Sequence, residues 1–511
     1  MIAPGTTLNM EVDIQFYPIK QDRLFSLAII LLALAALANL TGCTTSPNPD
    51  NPNDPDGLGG QRIQPYEENP WYWQYKGEPV LLLGGSDQDN LFNHPDLPPN
   101  GLEAHLDRLI SAKQNGDTSS QVKFYVRNTM SSRDEGNVWW FEKNDNTGLY
   151  DLDSFNEEYW DRFENFLKMT AERDIIVQIE LFDRFDFARE PWDVNPFNPD
   201  NNINFTAEEI GLPAEIETHP GENENPFFFS VPELEDNVVL LQYQEAIVEK
   251  VLEISLQHGH VLYCISNETN GSPLWGEYWA RFLQERADES DTGIEVTEMW
   301  DAWDLTDEEH GHTFNHPDLY SFVDISQNSH QQGQTHWDNM QKAREMLSDQ
   351  PRPMNTVKIY GGEPHGHGTE EGTIRLWRNI FGGVASSRFH RPESGAGLSE
   401  IALTHLRSAS MLVNEVDIFN SYPNNELLKE RDENEAYSIA APDNNYAVYF
   451  PDGGSVILDA PEAGDSLTVR WLNIMESEWE GPETKQLTSG IELTAPGDGQ
   501  WAVLVQPVSS N

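Results

Sequence analysis

Basic residues are scarce in this sequence. Only 31 Lys and Arg stand against 86 Asp and Glu in 511 residues, a formal net charge of −55. A surface so acidic argues against nucleic acid or an anionic membrane face as a partner. Cysteine is scarcer still, with Cys43 and Cys264 alone, so no disulfide framework can hold the chain together. Long apolar runs are missing too. The one candidate, Leu24 to Leu37, is too short to span a membrane with comfort. What the chain has in quantity is length and aromatic residues. There is ample material for a large core plus an accessory module, and 15 Trp are more than packing alone requires.

The N-terminus carries an address. Lys20 and Arg23 precede the apolar run, which ends in Leu40-Thr41-Gly42-Cys43. This resembles the bacterial lipoprotein signal, in which the Cys becomes the lipidated first residue of the mature protein. Residues 1–42 are then a signal peptide, Cys43 is the lipidation site, and 43–62 form a Pro/Asn/Asp/Gly tether without core-forming residues. The resemblance implies a protein held by acyl chains at the bacterial cell envelope, on the outer membrane or cell surface. A lipidated Cys43 leaves no partner for Cys264, which is most simply a buried apolar residue.

From residue 78 onward, eight short apolar runs alternate with amphipathic stretches. The runs are 78–86, 121–129, 175–183, 260–268, 293–300, 320–330, 355–363 and 382–390. Helical patterns fall near 101–115, 154–173, 236–257, 275–288, 336–348, 370–381 and 399–416. Continuously apolar strands spaced by helices indicate parallel strands covered on both faces. Eight such units predict a (β/α)₈ TIM barrel over 63–430, with 186–235 as a long loop. A doubly wound sheet would place a Gly-rich phosphate loop after its first strand, and GGSDQDN is not one. Beyond 431 the pattern changes to short alternating segments broken by Pro-Asp-Gly-Gly and Pro-Gly-Asp-Gly turns. These predict a small antiparallel β-sandwich over 431–511, expected to separate from a stable barrel.

In a barrel the carboxyl ends of the strands form the face where chemistry happens. Here those ends carry Arg127, Asp183, Asn267-Glu268, Trp300, His330, Glu363 and Arg388. Glu268 closes the fourth run and Glu363 the seventh, so two carboxylates face one mouth from opposite sides. Glycosidic bond cleavage needs such a pair, one protonated and one ionised. Each carboxylate also has a plainer reading. Glu268 could cap the following helix, and Glu363 could be a loop carboxylate after Gly361-Gly362. Asp183 could bind sugar hydroxyls or serve a local ion pair. Trp139, Trp140 and Trp300 are candidate sugar platforms. The His-rich stretch around His365 and His367 matches no zinc-ligand spacing, and neither a metal nor a cofactor is expected.

Asn267-Glu268 and Glu363, at the ends of strands four and seven, resemble the signature of the large clan of retaining (β/α)₈ glycoside hydrolases. The resemblance implies Glu268 as acid/base, Glu363 as nucleophile, and Asn267 binding the sugar 2-hydroxyl. It also implies that Arg127 helps keep the nucleophile ionised. The entry NPWYWQYKGEPVLLLGGS and the C-terminal segment are similar to apiosidase-like barrels followed by a β-domain labelled collagen-binding. Ser86-Asp87-Gln88-Asp89 and Glu363-Pro364-His365-Gly366 depart from that family's pattern, so apiose specificity is not carried over. The expected substrate is a plant or algal type polysaccharide or oligosaccharide. An inactive glycan-binding lipoprotein is the alternative.

Overall fold

A computed structural model describes residues 61–94, 97, 101–113, 121–130, 138–362, 366–460, 466–486 and 490–508. The signal peptide, Cys43 and Glu363 lie outside the described residues. No helix among the described residues is long and apolar enough to cross a membrane.

The eight expected strands are β1 (Glu78–Gly85), β2 (Val122–Thr129), β3 (Ile176–Asp183), β4 (Val261–Asn267), β5 (Val296–Thr297), β6 (Val323–Asp324), β7 (Met354–Ile359) and β8 (Ser386–Phe389). They pair in parallel in the order β6-β7-β8-β1-β2-β3-β4-β5. The Ser321 N–H donates to the Val296 carbonyl at 3.1 Å, and the Val296 N–H to Ser321 Oγ at 3.0 Å, which brings the two ends of the sheet together. After each strand comes a helix: α1 (Gly101–Ile110), α2 (Glu157–Glu172), α3 (Val238–Ser255), α4 (Pro273–Asp288), α5 (Glu308–Phe314), α6 (Gly333–Met346), α7 (Gly368–Phe381) and α8 (Glu400–Val413). Asn156, Asn237, Ser272 and Ser399 cap α2, α3, α4 and α8 with their side chains, each contributing about 1 kcal/mol.

Every residue of β3 is buried, because both faces of the strand are covered. Alternate residues go to different cores. Leu82, Tyr125, Ile176, Leu262, Cys264 and Val357 fill the barrel interior. Leu81, Leu83, Val126, Val177 and Tyr263 pack outward among the helices. Strands β5 and β6 are much shorter than the apolar runs at 293–300 and 320–330. In β6 the cause is visible: the Asp324 side chain accepts from the Ser326 N–H at 2.8 Å, and Ser326 Oγ accepts from the Val357 N–H at 2.9 Å. Side chains that bond nearby backbone end the ladder early, and the chain turns into a 3₁₀ segment, Ser326–His330.

The C-terminal segment forms β9 (Tyr422–Pro423), β10 (Leu428–Lys429), β11 (Tyr437–Ala441), β12 (Asn445–Phe450), β13 (Ser455–Leu458), β14 (Ser466–Asn473), β15 (Glu478–Gln486), β16 (Ile491–Thr494) and β17 (Trp501–Pro507). These make an antiparallel six-stranded sheet, β9-β11-β12-β17-β14-β15, and a three-stranded one, β10-β13-β16. Val448, Phe450, Val469, Val503 and Val505 of the larger sheet pack with Val456, Leu458 and Leu493 of the smaller. The larger sheet's other face, with Tyr437, Ala447, Tyr449, Leu472, Ala502 and Leu504, joins the barrel's outer core. Tyr449 stacks on Trp377 of α7 with centroids 5.6 Å apart, and Gln500 Nε2 donates to Thr373 Oγ1 at 2.8 Å. The two modules therefore share a core.

Candidate active site

The ends of β3, β4 and β5, with that of β7 facing them, supply the centre of the barrel mouth. Beyond the last residue of β4, Glu268 turns with φ 53°, a left-handed conformation that costs a non-glycine residue roughly 1 kcal/mol. The turn aims its carboxylate across the mouth at β7. There Lys358 Nζ donates to Glu268 Oε1 at 2.5 Å, and the Tyr360 hydroxyl to the same oxygen at 2.9 Å. Lys358 and Tyr360 are two residues apart, so an extended chain presents them on one face. Lys358 also donates to Asn267 Oδ1, while Asn267 Nδ2 donates to Asp183 Oδ1 at 3.0 Å. Asp183 accepts from the Phe185 N–H at 3.1 Å as well, which fixes the turn after β3. Glu268 is not the helix cap, since Ser272 fills that place on α4.

Burial alone would push the Glu268 carboxyl up. The Lys358 ammonium, the Arg127 charge and the Tyr360 hydroxyl together outweigh it and hold Glu268 well below the usual carboxylate range. The opposite holds one strand over. Asp301 follows β5, its N–H bonded to the Thr269 carbonyl at 2.9 Å. Burial and then the Glu268 charge push its carboxyl up to about 7. The environments of two carboxyl groups on adjacent strand ends thus push their pKa values apart.

Arg127 lies beneath this pair. It is fully buried between Asp89 Oδ1 at 2.8 Å and Glu180 Oε2 at 2.7 Å. Burial would raise Asp89, but Arg127, His390, Arg391 and Arg388 outweigh that and hold it well below its ordinary value. For Glu180 the balance tips the other way: burial pushes it up to about 7 in spite of Arg127. Arg388 bonds the Val357 carbonyl at 2.7 Å and the Ser86 hydroxyl, a buried brace joining β8, β7 and β1.

The rim carries rings. Trp303 is 52 % exposed and stacks on His330 with centroids 4.0 Å apart and planes 15° apart. His330 in turn lies 4.8 Å from the Tyr360 ring. Trp300, at 3 % exposed, is turned inward, with its indole N–H donating to Thr313 Oγ1 at 2.7 Å. Trp139 and Trp140 are also buried. The open ring expected of those three belongs instead to Trp303. After β7 the Gly361 and Gly362 amides both donate to the Ser394 carbonyl at 2.9 Å. A Cβ at position 362 would come within 2.9 Å of Ser394 Cα, so a glycine is needed there. Among the described residues, no group of three or more His, Cys, Asp or Glu could hold a metal ion.

Sequence reasoning found Glu268, Asn267, Asp183, Arg127 and His330, which the structure brings together. It missed Lys358, Tyr360, Asp89, Asp301 and Trp303. A lysine inside the apolar run NTVKIY was the available signal, because a buried ammonium needs an anionic partner.

No family model and no curated relative matches this chain. Solved structures do. A glycoside hydrolase family 5 protein from Bacteroides vulgatus is similar with a TM-score of 0.59 at 14 % identity, over 89 % of this chain and 94 % of that one. A second structure, described as a glycoside hydrolase, gives 0.55 at 13 % identity, over 89 % and 98 %. The likeness establishes the fold. Coverage of that extent takes in the C-terminal sheets as well as the barrel.

Proposed function

We propose that the protein is a retaining glycoside hydrolase acting on a polysaccharide or oligosaccharide of plant or algal type. In this reading Glu268 is the acid/base, Glu363 the nucleophile, and Asn267 holds the sugar beside them. The observation that carries it is Glu268 itself, set at the end of β4 in a strained turn that aims its carboxylate into the mouth. The fold shared with structures described as glycoside hydrolases supports the same class. Glu268 would protonate the leaving oxygen while Glu363 attacks the anomeric carbon, then take a proton from the water that releases the sugar. Asp183 orients Asn267 and so acts through it. Trp303, backed by His330, offers its open face to a further sugar ring. A lipid anchor at Cys43, holding the enzyme at the cell envelope, belongs to the same proposal.

One observation favours a second assignment of roles. Lys358 keeps Glu268 ionised in the free protein, as befits an attacking carboxylate, whereas Asp301 holds a proton near neutral pH. Glu268 would then be the nucleophile and Asp301 the proton donor. Digestion of a glycan panel with the wild type and Glu268→Gln tests the class: soluble sugars should appear with the first and not with the second. No release from any glycan would leave only a binding role for the mouth.

A further inference from the structure

The ends of β4 and β5 advance out of step. Cys264 pairs with Thr297, and the next bridge joins Thr269 to Trp300. Residues 264 to 269 of one chain segment therefore face only 297 to 300 of the other. The surplus is taken up as a bulge that carries Glu268 with its φ of 53°. Backbone closes the far side of the bulge. The Thr269 N–H donates to the Met299 carbonyl at 2.8 Å, and the Asp301 N–H to the Thr269 carbonyl at 2.9 Å. A side chain closes the near side. Glu298 Oε1 accepts from the Ser266 N–H at 2.8 Å and from the Met299 N–H at 3.1 Å. Glu298 is 1 % exposed, and Gly276 of α4 leaves its carboxyl room. A Cβ at position 276 would stand 3.0 Å from Oε2 and 3.1 Å from the Tyr320 hydroxyl. Burial pushes the carboxyl up to about 8, so near neutral pH it serves as an uncharged acceptor. A buried carboxyl kept where an apolar side chain would pack at less cost asks for a reason.

We propose that Glu298 is a positioning residue for Glu268. By holding the Ser266 amide it fixes the root of the bulge, two residues before Glu268, and so sets the direction in which that carboxylate enters the mouth. A strained turn persists only where its surroundings hold it. Here Glu298 holds one end and the Thr269 backbone the other. Without the first hold Glu268 can swing, and a displacement of about 1 Å at a reacting group costs up to about a hundredfold in rate. The inference rests on the glycosidase reading for its kinetic consequence, but the geometry can be read without turnover.

A thiol placed at the mouth provides that reading in the full chain carrying Cys43→Ser and Glu268→Cys. It should react fast with iodoacetamide, since the Lys358 ammonium favours the thiolate, while buried Cys264 should not react. Adding Glu298→Leu should carry the thiol away from the ammonium and slow labelling at least about tenfold. Glu298→Gln keeps a carbonyl oxygen for the same two N–H groups and should label within about twofold of the parent. Gly276→Ala crowds Oε2 without removing the acceptor and should fall between the two, so the outcome does not hang on one variant folding. On an aryl glycoside that the wild type cleaves, Glu298→Leu should lower kcat about tenfold to a hundredfold with KM within about twofold. Glu298→Gln should restore most of that loss. A wild type that cleaves nothing would end the glycosidase reading and leave the labelling to decide this one. Unchanged labelling in both Glu298→Leu and Gly276→Ala, equal loss in Glu298→Gln and Glu298→Leu, or a loss accompanied by reaction of Cys264 would overturn the proposal.

Discussion

Lys358 Nζ meets Glu268 Oε1 at 2.5 Å, joining β7 to the end of β4 across the barrel mouth. An ammonium this close stabilises the ionised carboxylate, and burial removes the solvent that would screen it. Lys358→Met should therefore raise the Glu268 pKa by at least about one unit. The limb of the pH–rate profile that moves reveals the role. A general acid works protonated, so its activity is lost as pH rises through its pKa. If Glu268 is the acid, the variant's alkaline limb moves to higher pH. A nucleophile works ionised, so movement of the acidic limb would assign Glu268 the attack instead.

Asp89 is the anchor of the buried charge network. Its folded pKa lies below the unfolded value of about 3.9, so its stabilisation is present above that pH and lost as pH falls through the folded value. Asp89→Asn removes the anion shared by the buried Arg127 and Arg388 and the partly exposed Arg391. A loss of about 3–5 kcal/mol at pH 7 is expected, shrinking as the wild type is acidified. Denaturant titrations at pH 7 and pH 3 measure both; equal losses at the two pH values would show that Asp89 acts through packing rather than charge.

Trp303 has one face on His330 and the other in solvent. Removing a ring that stacks a distal sugar weakens binding without touching the bond being cleaved. Trp303→Ala should raise KM for oligosaccharides about two- to tenfold, with kcat little changed. The effect should vanish on aryl monosaccharides, which do not reach the ring. A drop in kcat on both substrates would place Trp303 in the chemistry.

The barrel and the β-domain share one core through Tyr437, Tyr449, Leu472 and Leu504. A chain ending at residue 430 would expose Trp337, Trp377 and Phe381 to water. It should aggregate on expression or bind a hydrophobic dye where the full chain does not. A soluble, cooperatively melting barrel would contradict the shared core.

Much of this architecture was legible because β/α alternation writes itself as apolar runs spaced by amphipathic ones. Runs such as 175–183 and 260–268 match their strands almost residue for residue. Less legible was anything decided by side chains meeting from distant positions. Nothing near Asp324 announces that it will cut β6 to two residues, and Lys358 and Glu268 are 90 positions apart. Trp300 and Trp303 are both aromatic residues after the same strand, and only packing against Thr313 or His330 tells the buried one from the open one. The packing of the β-domain against the barrel was hidden in the sequence for a related reason. Alternation shows that a sheet has two faces but not what covers the second.

The central claim is that Glu268 is the acid/base of a retaining glycosidase, and azide tests it most directly. Glu268→Ala should still accept an aryl glycoside with a good leaving group, because departure then needs no proton. Azide should speed its turnover by capturing the glycosyl-enzyme. The anomeric configuration of the resulting glycosyl azide, read by proton NMR, is the decisive measurement. The account predicts a glycosyl azide of the same configuration as the substrate. An azide of inverted configuration would mean that the alanine had removed the nucleophile, and would contradict it.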